Sequence, residues 1–141
     1  MLVGAVALGA ACSNPSAGAP GAPGASPDAS VERSAALGDT IQVRLGRSAS
    51  VDNGRLILTF RSHGADSRCP ATAVCVWAGD VAVRVGARAG PSTADAELHT
   101  GLEPHTLTID RYVVKVVGML PYPGTAPSDT TPTALLLVTA R

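Results

Sequence analysis

The residues with chemistry to offer crowd into one stretch, Asp66 to Asp80, which reads DSRCPATAVCVWAGD. It holds Cys69 and Cys75, the single tryptophan Trp77, Arg68, and a carboxylate at each end. His63 stands just before it and, with Asp66 and Ser67, supplies the side-chain types of a hydrolase. These three are neighbours in the chain, whereas a catalytic triad draws on distant segments, and no nucleophile-elbow glycines surround Ser67. Two cysteines at this spacing, without a second Cys/His pair nearby, make a poor zinc site. A thiolate nucleophile needs an exposed free thiol. His99 and His105 flank a turn and read as surface residues; a metal site there requires the fold to bring them to His63. Asp52 and Asn53 lack the further spaced carboxylates of a calcium loop. No catalytic residue, metal or cofactor is therefore expected.

The third cysteine, Cys12, has a different setting. Met1 to Ala11 reads MLVGAVALGAA, an uncharged run of small and apolar residues that suits the apolar part of a signal peptide and is too short to span a bilayer. Leu8, Gly9, Ala10, Ala11 and Cys12 resemble the lipobox of bacterial lipoproteins, with Gly9 where leucine is usual and no basic residue at the start. The resemblance implies cleavage before Cys12 and acylation of that residue, hence an extracytoplasmic protein held to a bacterial membrane, or a secreted one if the lipid is absent. With Cys12 acylated, Cys69 and Cys75 remain as an even pair in an oxidising compartment and are expected to form a disulfide. A ring this small contributes roughly 2 kcal/mol, a clip for one loop rather than a staple for the fold.

The DSRCP segment (Asp66, Ser67, Arg68, Cys69, Pro70), the CVWAG segment (Cys75, Val76, Trp77, Ala78, Gly79) and the later Pro121, Tyr122 and Pro123 resemble a pattern in uncharacterised bacterial envelope lipoproteins. That resemblance implies an anchored β domain and brings no activity with it. Two readings of the motif follow from its chemistry. As a binding loop, it presents Arg68 and Trp77, two frequent interface anchors, to another envelope protein, and a clipped loop loses little entropy on binding. As a structural clamp, Asp66 accepts from the loop's own amides, Arg68 forks onto Asp66 or Asp80, Gly79 marks a bulge or a close backbone approach, and Trp77 packs on the disulfide or into the sandwich. In the second reading, Trp77→Ala costs about 3–5 kcal/mol.

The elements that must position this stretch read as strands. Ser13 to about Ser34 is rich in Ala, Gly, Pro and Ser, which bury too little apolar surface to offset ordering. The expected organisation is a leader over 1–11, a disordered tether over 12–36, and a folded head over 37–141. In the head, Ile41, Val43 and Leu45 alternate with polar residues, as do Leu56, Leu58 and Phe60, and later Val81, Val83 and Val85. Asn53-Gly54 between apolar runs is a hairpin signal. Shorter strands are expected over Ala94 to His99 and around Leu107 and Ile109. Tyr112 to Leu120, apolar on both faces apart from Lys115, reads as a central strand ended by Pro121, Tyr122 and Pro123, and Ala134 to Thr139, also apolar on both faces, reads as buried. No stretch shows a capped helical period. Seven or eight short strands indicate an all-β sandwich, immunoglobulin-like first and a small barrel second.

Bulk properties narrow the partners. The 11 basic and 11 acidic side chains cancel, so nothing favours nucleic acid. Lys115 is the only lysine, which argues against a polybasic membrane patch. Phe60, Trp77, Tyr112 and Tyr122 are too few and too scattered for base stacking. The function expected is a non-enzymatic envelope module that binds or assists. A purely structural head, or a metal-binding or hydrolytic protein using the histidines, are the alternatives.

Overall fold

A computed structural model describes residues 31–141, and among these the chain forms nine strands and no helix. They are β1 (Val31–Ala35), β2 (Thr40–Arg44), β3 (Ser48–Val51), β4 (Leu56–His63), β5 (Ala82–Ala89), β6 (Ser92–His99), β7 (Thr106–Ile109), β8 (Tyr112–Leu120) and β9 (Thr133–Ala140). The expected leader, Cys12 and most of the expected tether lie outside the described residues. Two sheets face each other, one ordered β1-β3-β4-β5-β6 and the other β2-β9-β8-β7. The all-β sandwich is thus the architecture of the head.

Its connectivity is simpler than an immunoglobulin arrangement, which relies on Greek-key crossovers. Strands β3 to β6 form one antiparallel meander and β7 to β9 another. Only β2 beside β9 and β1 beside β3 join strands distant in sequence. Neighbour order therefore runs around the molecule almost as in a barrel.

The head begins earlier than the composition indicates. Strand β1 lies in the stretch expected to be tether, and it pairs parallel with β3 through Val31↔Ser48 and Ala35↔Val51. An edge strand of this kind is held by its backbone ladder, so its few apolar side chains give little sign of it.

Alternation explains the core. Ile41, Val43, Leu56, Leu58, Phe60, Val83 and Val85 all point inward and are buried, as the period of two requires. Strand β8 is central in its sheet, yet only alternate residues are covered: Tyr112, Val114 and Val116 are buried while Val117 and Leu120 are exposed. The same holds for β9, where Leu136 and Val138 are buried and Leu135 and Leu137 only partly so. Among the described residues nothing covers the outer face of this sheet, so the apolar residues there are half-open rather than core. Every buried hydrophobic residue lies between Ile41 and Val138, so residues 31–141 contain the whole described core.

At one end of the sandwich the chain turns back in tight hairpins. Asp52, Asn53 and Gly54 all take positive φ between β3 and β4, which Asn and Gly tolerate better than other residues. The opposite end carries the long connections, and the Asp66–Asp80 stretch is one of them.

Candidate functional site

Strand β4 leads into the stretch and β5 follows it, so its two ends start as neighbours. They are stitched together by backbone bonds: the Gly64 amide donates to Ala82, Ser67 to Asp80, and Cys69 to Ala78, at 2.9, 2.9 and 2.8 Å. The Ser67 hydroxyl adds a bond to the Asp80 carbonyl at 2.9 Å, which accounts for a serine at a position the hydrolase reading would have made a nucleophile.

Gly79 makes this neck possible. Its φ is +75°, and a Cβ there would overlap the Ser67 carbonyl. A Cβ at Gly101 would overlap the Gly79 carbonyl in turn. Three backbone segments are thus stacked at contact, and any side chain would force them apart. Of the two expectations for Gly79, a bulge or a close backbone approach, the close approach is the one observed.

Arg68 is the tie between the two sheets. It is buried, with only 8% of its surface exposed. Its Nε donates to Asp66 Oδ1 at 2.9 Å and its Nη2 to Asp66 Oδ2 at 2.6 Å, a planar fork matched to a carboxylate. Its Nη1 donates to the Met119 carbonyl at 2.6 Å and Nη2 to the Pro121 carbonyl at 3.1 Å, at the end of β8. The guanidinium also lies 4.9 Å from the centre of the Tyr122 ring. The Arg68 amide donates to Asp66 Oδ1 at 3.1 Å, the local turn expected of an aspartate two residues earlier. Arg68 therefore joins the motif to the Pro121-Tyr122-Pro123 segment and is not available to a partner.

Asp80 has the same role toward the β6–β7 turn. His99 Nδ1 donates to its Oδ2 at 2.7 Å, and the Gly101 amide to its Oδ1 at 2.8 Å. Burial pushes this carboxyl up, but the His99 bond, the Gly101 amide and the Thr100 hydroxyl outweigh that and hold it below its ordinary value. The Asp66 carboxyl is also held low, chiefly by the Arg68 fork working against burial. His99 is thus not simply a surface residue, and His105 Nδ1 donates to the His99 carbonyl at 2.8 Å. His63 is exposed at the end of β4, where its Nδ1 bonds the Gly64 carbonyl. Among the described residues, no three His, Cys, Asp or Glu side chains come together to hold a metal ion.

Beyond the neck, the loop turns outward. Cys69 and Cys75 form the expected disulfide, with their Cα atoms 5.9 Å apart. From Cys69 to Gly79 the loop carries no charge. Val74 and Val76 are fully exposed, and Trp77 is 57% exposed. Trp77 does not pack in the sandwich, contrary to its expected place in a core clamp. The clip closes a ring of only seven residues, Cys69 to Cys75, too small to fold over an indole. The motif divides into halves: Asp66, Arg68, Gly79 and Asp80 build a rigid neck, and Val74, Val76 and Trp77 stand on top of it in water.

A shallow cleft of about 290 Å³ borders the neck, lined by Arg68, Gly79, Gly101, Val117, Leu120 and Tyr122. A wider one of about 580 Å³ opens at the hairpin end between Arg55, Arg88, Pro91, Arg111 and Tyr112. There Asp52 accepts from Tyr112 at 2.8 Å and from Arg111 at 2.6 Å. Sequence reading missed this cluster. Its only sign was that Asp52 and Arg111 both sit in hairpin turns, and turns at one end of a meander become neighbours. Compared with models of known families, with curated proteins and with solved structures, the chain matches none.

Proposed function

We propose that this protein is a non-enzymatic module of a bacterial cell envelope, tethered through a lipid on Cys12, whose contact element is the clipped loop Cys69–Gly79. One observation carries the reading: the loop Cys69–Gly79, clipped by the Cys69–Cys75 bond, displays three apolar side chains, Val74, Val76 and Trp77, to solvent. Apolar side chains on a preformed support lose little entropy on contact, which is how a small recognition element binds efficiently. The Cys69–Cys75 bond suits an oxidising compartment and leaves Cys12 as the odd cysteine, in keeping with the lipobox-like residues before it. The lipoprotein-like motif supports the same address.

The test is fractionation of cells making the full chain. Mass measurement of the mature protein should show acyl groups on Cys12, and Cys12→Ser should move it from the membrane to the soluble fraction. Val76→Ser with Trp77→Ser should leave attachment and melting temperature unchanged while abolishing crosslinks made from the loop. A wild-type protein that is unmodified and soluble would sink the tether, and unaltered crosslinking by the double variant would sink the role of the loop.

A further inference from the structure

We infer that the loop Cys69–Gly79 docks the head onto the lipid surface of the membrane that carries the tether. This inference rests on the tethered reading above and names the occupant of its contact element. Three observations point to it.

The first is the direction of entry. Val31 pairs with Ser48, and Ser48 pairs with Thr59. From Thr59, β4 runs on to His63 and into the loop, while β1 runs the other way. The chain therefore enters the sandwich from the end where the loop stands. A lipid on Cys12, reached through residues 13–30, pulls on that end of the head rather than on the hairpin end.

The second is the chemistry of the tip. Val74, Val76 and Trp77 are exposed on an uncharged loop, and Tyr122 is exposed on the neighbouring segment, whose Pro123 carbonyl accepts from Ala71 in the loop. Tryptophan and tyrosine favour the headgroup level of a bilayer, where an apolar ring and a polar N–H or O–H are both satisfied. Valines beside them reach the acyl boundary. The third is the absence of charge between Cys69 and Gly79, which leaves contact to apolar burial. A tip this small binds lipid weakly by itself. A tether that confines it near the surface raises its effective concentration and makes weak contact sufficient.

Trp77 is the only tryptophan, so tryptophan emission, excited at the red edge where Tyr112 and Tyr122 do not absorb, reports on the loop alone. The experiment uses the acylated full-length product in phosphatidylcholine vesicles, with and without brominated acyl chains. The expected result is a blue-shifted emission, quenching by brominated lipid, and loss of quenching by aqueous iodide. Replacing part of the phosphatidylcholine with an anionic lipid, or adding salt, should change none of these. Val74→Ser with Val76→Ser keeps the reporter and touches no packed residue. It should restore iodide quenching while the acyl chains keep the protein on the vesicles. A wild-type Trp77 open to iodide and untouched by brominated lipid would overturn the inference and leave a protein partner as the occupant of the loop. Mass measurement of the same sample separates the two levels. A chain without acyl groups defeats the tether and the docking that rests on it, whereas an acylated chain whose Trp77 stays open to iodide defeats the docking alone.

Discussion

Arg68 and Asp66 meet as a planar fork, Nε to Oδ1 at 2.9 Å and Nη2 to Oδ2 at 2.6 Å, and the same guanidinium reaches the carbonyls of Met119 and Pro121 across the sandwich. One side chain thus fixes the shape of a loop and its attachment to the other sheet. The nearness of Asp66 in sequence makes the fork local, while the carbonyl bonds make it tertiary.

Arg68→Ala should therefore be among the more damaging single changes in the head. It leaves two carbonyls without their donor and Asp66 with only the backbone amide of residue 68, a loss of about 3 kcal/mol. Arg68→Lys should recover little, because one ammonium cannot satisfy a fork and two carbonyls in different directions. Urea unfolding of the three proteins checks this. Equal stability of the lysine variant and the parent would show that charge alone matters.

Gly79→Ala should cost more than an ordinary glycine replacement. The positive φ contributes about 1–2 kcal/mol, and overlap of the new methyl with the Ser67 carbonyl adds to it. Gly38 is the control. Its φ is +89° but nothing lies within 4 Å of its missing Cβ, so Gly38→Ala should show the conformational cost alone. Identical midpoints for the two variants would mean that the stacked neck yields easily.

Trp77→Ala should barely change stability, by less than about 0.5 kcal/mol, as for surface positions in general. The core-clamp reading expected several times more. Thermal melting separates the two, because a marked fall in melting temperature can arise only if the indole is packed.

Acid should weaken the head in a defined window. Asp66 and Asp80 titrate lower in the fold than in the unfolded chain, and so does Asp52, held down chiefly by the Tyr112 hydroxyl and then by Arg111. Such groups bind fewer protons folded than unfolded. Their contribution is complete above the unfolded value, near 3.9, and is lost as pH falls through the lower folded value. Urea midpoints should hold down to about pH 5 and decline below about pH 4. Asp66→Asn should make the decline shallower. Midpoints that rise on acidification through this range would contradict the assignment.

Much of the fold was legible because alternation is a local property. Ile41 and Val43, Leu56 to Phe60, and Val81 to Val85 declare which side of a strand is covered, and the Asn53-Gly54 turn declares where two of them meet. Apolar content misled where it stood in for burial: Leu135 and Leu137 lie in a run read as buried, but β9 has a neighbouring sheet on one face only and both are only partly buried. Strand β1 went unseen for the opposite reason, since a ladder of backbone bonds leaves little trace in side-chain pattern.

The sequence by itself determined the sandwich, the cysteine pair and the crowding of special residues between Asp66 and Asp80, while the choice at Gly79 between a bulge and a close backbone approach fell to the contacts with Ser67 and Gly101. It could not divide those residues into neck and tip. That division depends on Met119, Pro121, His99 and Gly101, which come from remote parts of the chain and supply the partners of Arg68 and Asp80. Once those partners are in place, Arg68 is occupied and buried. Among the described residues Trp77 finds no wall to pack against, and it stands more than half exposed to solvent.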